Sequence, residues 1–435
     1  MSATVTHRAI EAVWRIESAK IIAVLARMLR DVGLAEELAQ DALIAALEAW
    51  PENGVPDNPA AWLTATAKRR ALDELRRRKL LDRKHEELAH ELELDQELAD
   101  RRAVAMRDEA IEDDLLRLMF VACHPLLSPE ARVALTLRLL GGLATDEIAR
   151  AFLVPEATIA QRIVRAKRTL SEARVPFEVP AGAELAPRLA SVLEVVYLIF
   201  NEGYAATAGE HWMRPQLCEE ALRLGRILAE LVPHEAEVHG LVALMEIQAS
   251  RLRARTDPGG EPVLLLDQDR ARWDRLLIGR GLASLERAER RGRALGRYGL
   301  QAAIAACHAR APTAGETDWA RIAALYDALA QLAPSPVVEL NRAVAVSMAF
   351  GPAAGLEIVD ALSDEPALIG YHLLQSVRGD LLEKLGRHDE ARVAFERAAA
   401  LTRNAKERGL LAQRATRCAE RGSVRTSVDG GSDGT

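Results

Sequence analysis

Apolar positions along this chain recur at three- and four-residue intervals, the period of one face of an α-helix. Between residues 8 and 80 the pattern is broken once, at PENGVPDNP (51–59), where proline and glycine interrupt it. It resumes over 113–175, stops at the proline-rich VPFEVPAGAELAP (175–187), and runs on from 188 to about 420. No long stretch alternates apolar and polar residues as a half-buried strand does. The pattern predicts an all-α protein. It has two small helical domains (1–80 and 113–175), a linker between them (81–112), a long helical domain (185–420) and a disordered Gly/Ser-rich tail (421–435).

The most informative local pattern lies at 143–171. In LATDEIARAFL, Thr145 is placed to cap a helix, and Asp146 and Glu147 sit in its positive-dipole first turn. Ile148, Ala149 and Phe152 form its apolar side. Leu153-Val154 makes a turn, and Pro155 opens a second helix. That helix buries Ile159, Ile163, Ala166 and Leu170 at helical spacing. Its other face carries Thr158, Gln161, Arg162, Arg165 and Arg168, which are donors suited to phosphates and to guanine edges. The reading is a helix-turn-helix that docks in a major groove.

Charge sharpens the picture. The chain carries a net charge of -7, which argues against nucleic acid coating its whole surface. Between Lys68 and Lys84, however, nine basic residues face three acidic ones. In that segment Trp62, Leu63, Ala67, Ala71, Leu72 and Leu75 make the buried stripe. Lys68, Arg69, Arg70, Arg76 and Arg77 then project toward a DNA backbone. Just upstream, DVGLAEELAQDALIAALEAWP (31–51) puts Glu36, Glu37, Gln40 and Asp41 on one short exposed arc, with Leu38, Ala42 and Leu47 turned inward. An acidic helix beside a basic one points to two partners, a protein and a nucleic acid.

Composition excludes several alternatives. Ala, Leu, Arg and Glu dominate, aromatics are 4%, and these residues favour helix. The four cysteines (123, 218, 307, 418) are scattered without a Cys-x-x-Cys pair, so neither a zinc site nor a disulfide framework is expected. The N-terminus is charged where a signal peptide needs an apolar run, and no segment has the length of a membrane span, so a cytoplasmic protein is expected. No cofactor, metal or enzymatic activity is expected either. His211, His234, His239, Glu202, Asp267, Asp269 and Asp318 lack ligand spacing, and there is no phosphate loop or nucleophile elbow.

The order and wording of these segments resemble the sigma-70 family, in its extracytoplasmic-function (ECF) class. AEELAQDALIAALEAWP resembles the region-two helix that docks on RNA polymerase, which implies polymerase contacts at Glu37, Gln40 and Asp41. WLTATAKRRALDELRRRK resembles the helix that meets the −10 promoter element. The loop ENGVPDNPAA before it sits where the family captures a flipped-out base. LSPEARVALTLRLLGGLATDEIARAFLVPEATIAQRIVRAKRTL resembles region four, whose second helix reads the −35 element. Ala160 and Pro155-Glu156 depart from the family wording and bear on the −35 sequence read. The resemblance implies core RNA polymerase and promoter DNA as partners.

The remainder resembles an ECF subgroup with a long C-terminal extension. YLIFNEGYAAT, LDQDRARWD and PVVELNRAVAV are among the strings that carry this likeness. YHLLQSVRGDLLEKLGRHDEARVAFERAAALTRN (371–404) resembles a tetratricopeptide repeat, two helices joined at Gly386-Arg387 with Gly379, Ala391, Phe395 and Ala398 between them. Asn201, Glu202 and Tyr204 are expected to line a pocket or to contact the sigma part, and the extension is expected to pack on that part and tune it. A helix-turn-helix regulator with a repeat domain that does not act as sigma is the alternative. It leaves the paired acidic and basic helices at 31–84 without a purpose.

Overall fold

The structure, a computed structural model, describes residues 3–83, 108–292 and 294–429. These residues form eighteen α-helices and one pair of two-residue strands. The chain divides into two compact units, Met1–Leu198 and Ile199–Thr435.

The first unit begins with α1 (Ala3–Leu29), α2 (Val32–Asn53) and α3 (Pro59–Arg83). The sequence pattern allowed one break before residue 80, but there are two. Arg30 takes a left-handed conformation with φ 51°, and the Asp31 carboxylate accepts the Leu34 N–H at 3.0 Å, so one helix ends and another starts. Pro51 does not end α2. It lies in the last turn, and the helix closes at Gly54, whose N–H reaches the Trp50 carbonyl at 3.0 Å. α1 packs against both α2 and α3, with Leu25, Ala26, Leu63, Ala67 and Ala71 in the core. The expected linker lies largely outside the described residues.

Four helices follow: α4 (Asp108–Ala122), α5 (Pro129–Leu139), α6 (Thr145–Phe152) and α7 (Glu156–Glu172). α4 also packs on α1, so the two helical groups form one body rather than two separate domains. The division between units falls inside α8 (Leu185–Tyr204), not in the proline-rich stretch before it. Side chains early in α8 explain this. Arg188 donates to the Phe120 carbonyl at 2.8 Å, and Ser191 donates to the Cys123 carbonyl at 2.6 Å. Arg132 of α5 reaches Ser191 at 2.6 Å and Glu194 at 3.0 Å.

The second unit is a succession of helices packed on their chain neighbours: α9 (Pro215–Leu231), α10 (Ala236–Ala249), α11 (Arg275–Arg291), α12 (Arg297–Arg310), α13 (Trp319–Leu332), α14 (Pro336–Phe350), α15 (Pro352–Ala361), α16 (His372–Lys384), α17 (His388–Leu401) and α18 (Ala405–Asp429). α16 and α17 meet at Gly386, at φ 74°, as the sequence pattern required. A Cβ on Gly379 would lie 2.8 Å from the Phe395 ring, so glycine is what lets these helices touch. α18 runs through Asp429 into the segment expected to be a disordered tail.

The stretch 255–273, which breaks the helical period, is ordered by two 3₁₀ turns and by the buried Arg270. Arg270 donates to the carbonyls of His308 at 2.7 Å and Ala311 at 2.5 Å. Two short parallel strands, β1 (Ala208–Gly209) and β2 (Arg403–Asn404), join the start of the unit to its end. Among the described residues, no helix is long and apolar enough to cross a membrane. The four cysteines are buried thiols outside any disulfide.

Candidate nucleic-acid interface

α6 and α7 form the expected two-helix motif. The N-cap is Ala144 rather than Thr145. The Glu147 carboxylate accepts the N–H of Ala144 itself at 2.8 Å, which holds the start of α6 without a side-chain hydroxyl at the cap. Leu153, at φ 51°, ends α6 in a left-handed residue, and the Val154 N–H returns to the Ala149 carbonyl at 3.1 Å. Pro155 is the N-cap of α7 rather than its first helical residue. Ile159, Ile163, Ala166 and Leu170 are buried against α5 and α6.

The open face of α7 is a ridge of Gln161, Val164, Arg165 and Arg168 at intervals of three and four. Thr158 and Arg162 flank it and are half-buried. Arg168 is engaged by Glu172 at 2.6 Å, whereas Arg165 has no ion-pair partner among the described residues. Val164 is 63% exposed. It was missed in the sequence because its position belongs to neither the buried stripe nor the charged set. An exposed valine amid guanidiniums suits the thymine methyl of a major groove.

The basic helix α3 is less free than its composition implies. Arg70 pairs with Asp41 at 3.2 Å, Arg76 with Asp73 at 3.4 Å, and Arg77 with Glu74 at 2.6 Å. Burial lowers the Lys68 ammonium from its ordinary range, and Arg27 adds to the effect. Arg69, Arg76 and Arg77 are exposed. Near the loop, Trp50 is 2% exposed and meets Trp62 edge-on at 5.4 Å. Trp50 is therefore the core residue of the two, and Trp62 the one closer to solvent.

The acidic arc on α2 is split. Glu37 is exposed, but Glu36 is only 3% exposed. Arg138 of α5 donates to the Glu36 carboxylate at 2.5 Å, and Lys167 of α7 closes on its second oxygen. Gln40 donates to the same carboxylate at 2.5 Å. Glu36 turns inward because two cations from distant helices neutralise it there. Of the residues expected to turn inward, Ala42 is buried, but Leu47 is 38% exposed and Leu38 is half-buried. Two more pairs join the same groups of helices. Arg27 of α1 holds the wholly buried Asp114 of α4 at 2.8 Å, and Arg15 of α1 lies 3.6 Å from Glu147 of α6. Burial pushes the Asp114 carboxyl up, against the pull of Arg27 and Arg117.

Known families match these helices in order. Residues 15–80 match sigma-70 region 2, and residues 117–170 match sigma-70 region 4. Over 385 residues the chain is 48% identical to the uncharacterized protein R00370 of Rhizobium meliloti (strain 1021), which covers 88% of this chain and 89% of that one. The chain belongs to the sigma-70 family. The probable ECF RNA polymerase sigma factor SigI of Mycobacterium tuberculosis, from strains CDC 1551 / Oshkosh and H37Rv, is 27% identical over 169 residues. That match spans 39% of this chain and 57% of SigI. Residues 188–289 match a family of unknown function, DUF6596, so this sigma-70 member carries a further helical region behind region four.

In sigma-70 terms, the region-two match runs from α1 into α3, and the region-four match runs from α4 into α7. The region-two helix α2 and the region-four helix α7 thus meet through Glu36 and Lys167, which lie 131 residues apart in the chain. The motif FNEGY at the end of α8 is occupied locally. Glu202 pairs with Arg214 and accepts from the Thr207 hydroxyl at 2.9 Å, Tyr204 stacks on Phe200, and Arg255 lies 3.8 Å over the Tyr204 ring. Asn201 is exposed.

Proposed function

We propose that the chain is an alternative sigma factor of the ECF class that binds core RNA polymerase and starts transcription from promoters with −10 and −35 elements. The observation that carries this is the ordered pair of region-two and region-four matches, with the recognition ridge Gln161, Val164, Arg165 and Arg168 open to solvent. Arg162, Arg165 and Arg168 contact the −35 element, with Thr158 and Gln161 reading base edges. Lys68, Arg69, Arg70, Arg76 and Arg77 follow the backbone near the −10 element. Glu37, Gln40 and Asp41 meet polymerase. Melting needs no covalent chemistry, since the unpairing of a base costs only a few kcal/mol.

The contact of Glu36 with Arg138 and Lys167 describes a closed state. The −10 and −35 elements are well separated along DNA that rises about 3.4 Å per base pair. Helices joined by an ion pair cannot reach both. Polymerase therefore takes up the chain in an opened form, and residues 84–107 can span about 80 Å when fully extended. The helices behind region four, read here as tetratricopeptide-like pairs, shift the balance between the two forms and so set sigma activity from within the same chain.

Run-off transcription with purified core polymerase, full-length protein and genomic promoter fragments tests the reading. Specific transcripts that vanish when Arg162 and Arg165 are neutralised are expected. A chain ending at residue 204, which keeps α8 whole, gives the sign of the extension's effect. No transcript and no co-elution with core polymerase would leave an ordinary helix-turn-helix regulator.

A further inference from the structure

The second unit contains a cavity that neither the DNA interface nor the polymerase helix uses. It measures about 380 Å³ and lies among α9, α10 and α11, where Arg226, His239, Glu246, Arg280, Ser284 and Arg287 line it together with the exposed carboxylate of Glu230 and two apolar residues. That is within the size range of small-molecule sites. All of these residues fall inside the 188–289 match to DUF6596.

Its inner wall is polar and incompletely satisfied. His239 is 4% exposed and Glu246 is 3% exposed. The His239 Nε2 lies 2.8 Å from the Pro233 carbonyl, which can only accept, so Nε2 carries the proton. Burial lowers the ring's proton affinity and keeps it neutral, with Arg291 and Arg287 adding to the effect. Nδ1 is then a lone-pair acceptor, and it has no partner. The Glu246 carboxylate takes both bonds from Arg226 on one oxygen, at 3.0 and 2.9 Å, and its other oxygen is buried without a partner. Two orphaned acceptors in one wall are costly unless a donor meets them. At the mouth, Arg280 and Arg287 stand two turns apart on α11, exposed and with no ion-pair partner among the described residues. Ser284 sits between them on the same face.

We propose that this cavity binds a small organic anion, a phosphate or carboxylate held by Arg280 and Arg287, whose amine or amide donates to His239 Nδ1 and Glu246. The inner wall selects for the donor and the mouth for the charge. Neither group alone fills both demands. The site is a chemical input to the extension, separate from the promoter and polymerase surfaces.

Calorimetric titration of the full-length protein without polymerase tests it, so the result stands apart from the transcription reading. The probes are AMP (phosphate with an amine donor), glutamine (carboxylate with an amide donor), adenosine (donor without charge) and sulfate (charge without donor). Saturable binding of AMP or glutamine is expected at millimolar concentration or below, with adenosine and sulfate each about tenfold weaker or more. The choice between AMP and glutamine tells phosphate from carboxylate. Arg280→Gln and Arg287→Gln each weaken that binding about tenfold, while Arg275→Gln, on the same helix but off the cavity, leaves it unchanged. His239→Phe, with thermal unfolding checked in parallel, removes the preference over sulfate. No saturable binding of either organic anion, binding of sulfate as tight as theirs, or binding indifferent to Arg280 and Arg287 would overturn the proposal.

Discussion

The two compact units combine charge and packing differently where their helices meet. In the first, helices α1 and α2 meet α4 to α7 through charge: Glu36 with Arg138 and Lys167, Asp114 with Arg27, and Glu147 with Arg15. In the second, ion pairs such as Arg414 with Asp380 and Glu383 also join helices, but close contacts of small residues and rings carry the packing, as at Gly355 against Ala343 and Ser347, or Gly379 against Phe395. The difference lies in reversibility. Ion pairs re-form with water or another partner when separated, whereas interdigitated apolar surface loses its contacts outright when parted. The opening proposed above would therefore fall on the charged seam of the first unit.

Substitutions can break this comparison, and the largest effect belongs to the second unit. A Cβ on Gly355 would stand 2.5 Å from the Ser347 Cβ and 2.7 Å from the Ala343 carbonyl oxygen. Gly355→Val should therefore cost about 3 kcal/mol or more in thermal or denaturant unfolding. A loss under about 1 kcal/mol would mean that α14 and α15 slide freely.

A somewhat smaller effect comes from pH. Burial pushes His308 down to about 4, with Arg251 and Arg270 adding to it. Its folded value lies below the unfolded one, so its contribution is intact above about pH 6.5 and is lost as pH falls through the folded value near 4. About 2 to 3 kcal/mol should disappear over that window. His308→Gln should flatten the pH profile of unfolding measured on the second unit's transition, and an unchanged profile would remove His308 from the account.

The charged seam of the first unit should respond more gently. Lys167→Ala leaves Glu36 with Arg138, so the closed form should lose only about 1 kcal/mol, roughly a fivefold shift toward the open one. Energy transfer between dyes at Ile44→Cys and Thr169→Cys, both exposed positions, reads it as lower transfer efficiency. Smallest of all is the stability effect of Arg165→Gln, expected within about 0.5 kcal/mol because the side chain lies in solvent. The same substitution should reduce the salt dependence of −35 DNA binding by about one unit of slope.

What could be read from sequence was local. The helix-turn-helix is carried by neighbours in the chain: apolar residues at 159, 163, 166 and 170, a turn at 153–154, and acids at 146 and 147. The joint at Gly386 and the contact of Gly379 with Phe395 are likewise settled within a few turns. Glu36 was placed in solvent because its neighbours are polar. Its burial depends on Arg138, 102 residues away, and no periodicity records that. Trp62 was placed in the buried stripe, yet Trp50 is the more deeply buried of the pair, for the same kind of reason. Which of two tryptophans turns inward depends on how α1 crosses them. Asp114, a carboxylate in an amphipathic helix, looks like any surface acid until Arg27 arrives from another helix. The cavity in the second unit has no sequence signature, since its residues come from three helices and its meaning lies in what His239 and Glu246 fail to bond.

The join between β1 and β2 bears on how the protein is made. Asn404 donates to the carbonyls of Ala206 at 3.0 Å and His211 at 2.9 Å, so the second unit is buckled to its own beginning by nearly its last helix. On a ribosome the chain grows at about 5–20 residues per second. The sigma helices are thus complete roughly 10 to 40 seconds before residue 404 emerges to fasten the buckle. During every round of synthesis there is therefore an interval in which the sigma helices are complete and the second unit is still unclasped, so a newly made molecule spends its first seconds with only one of its two units closed.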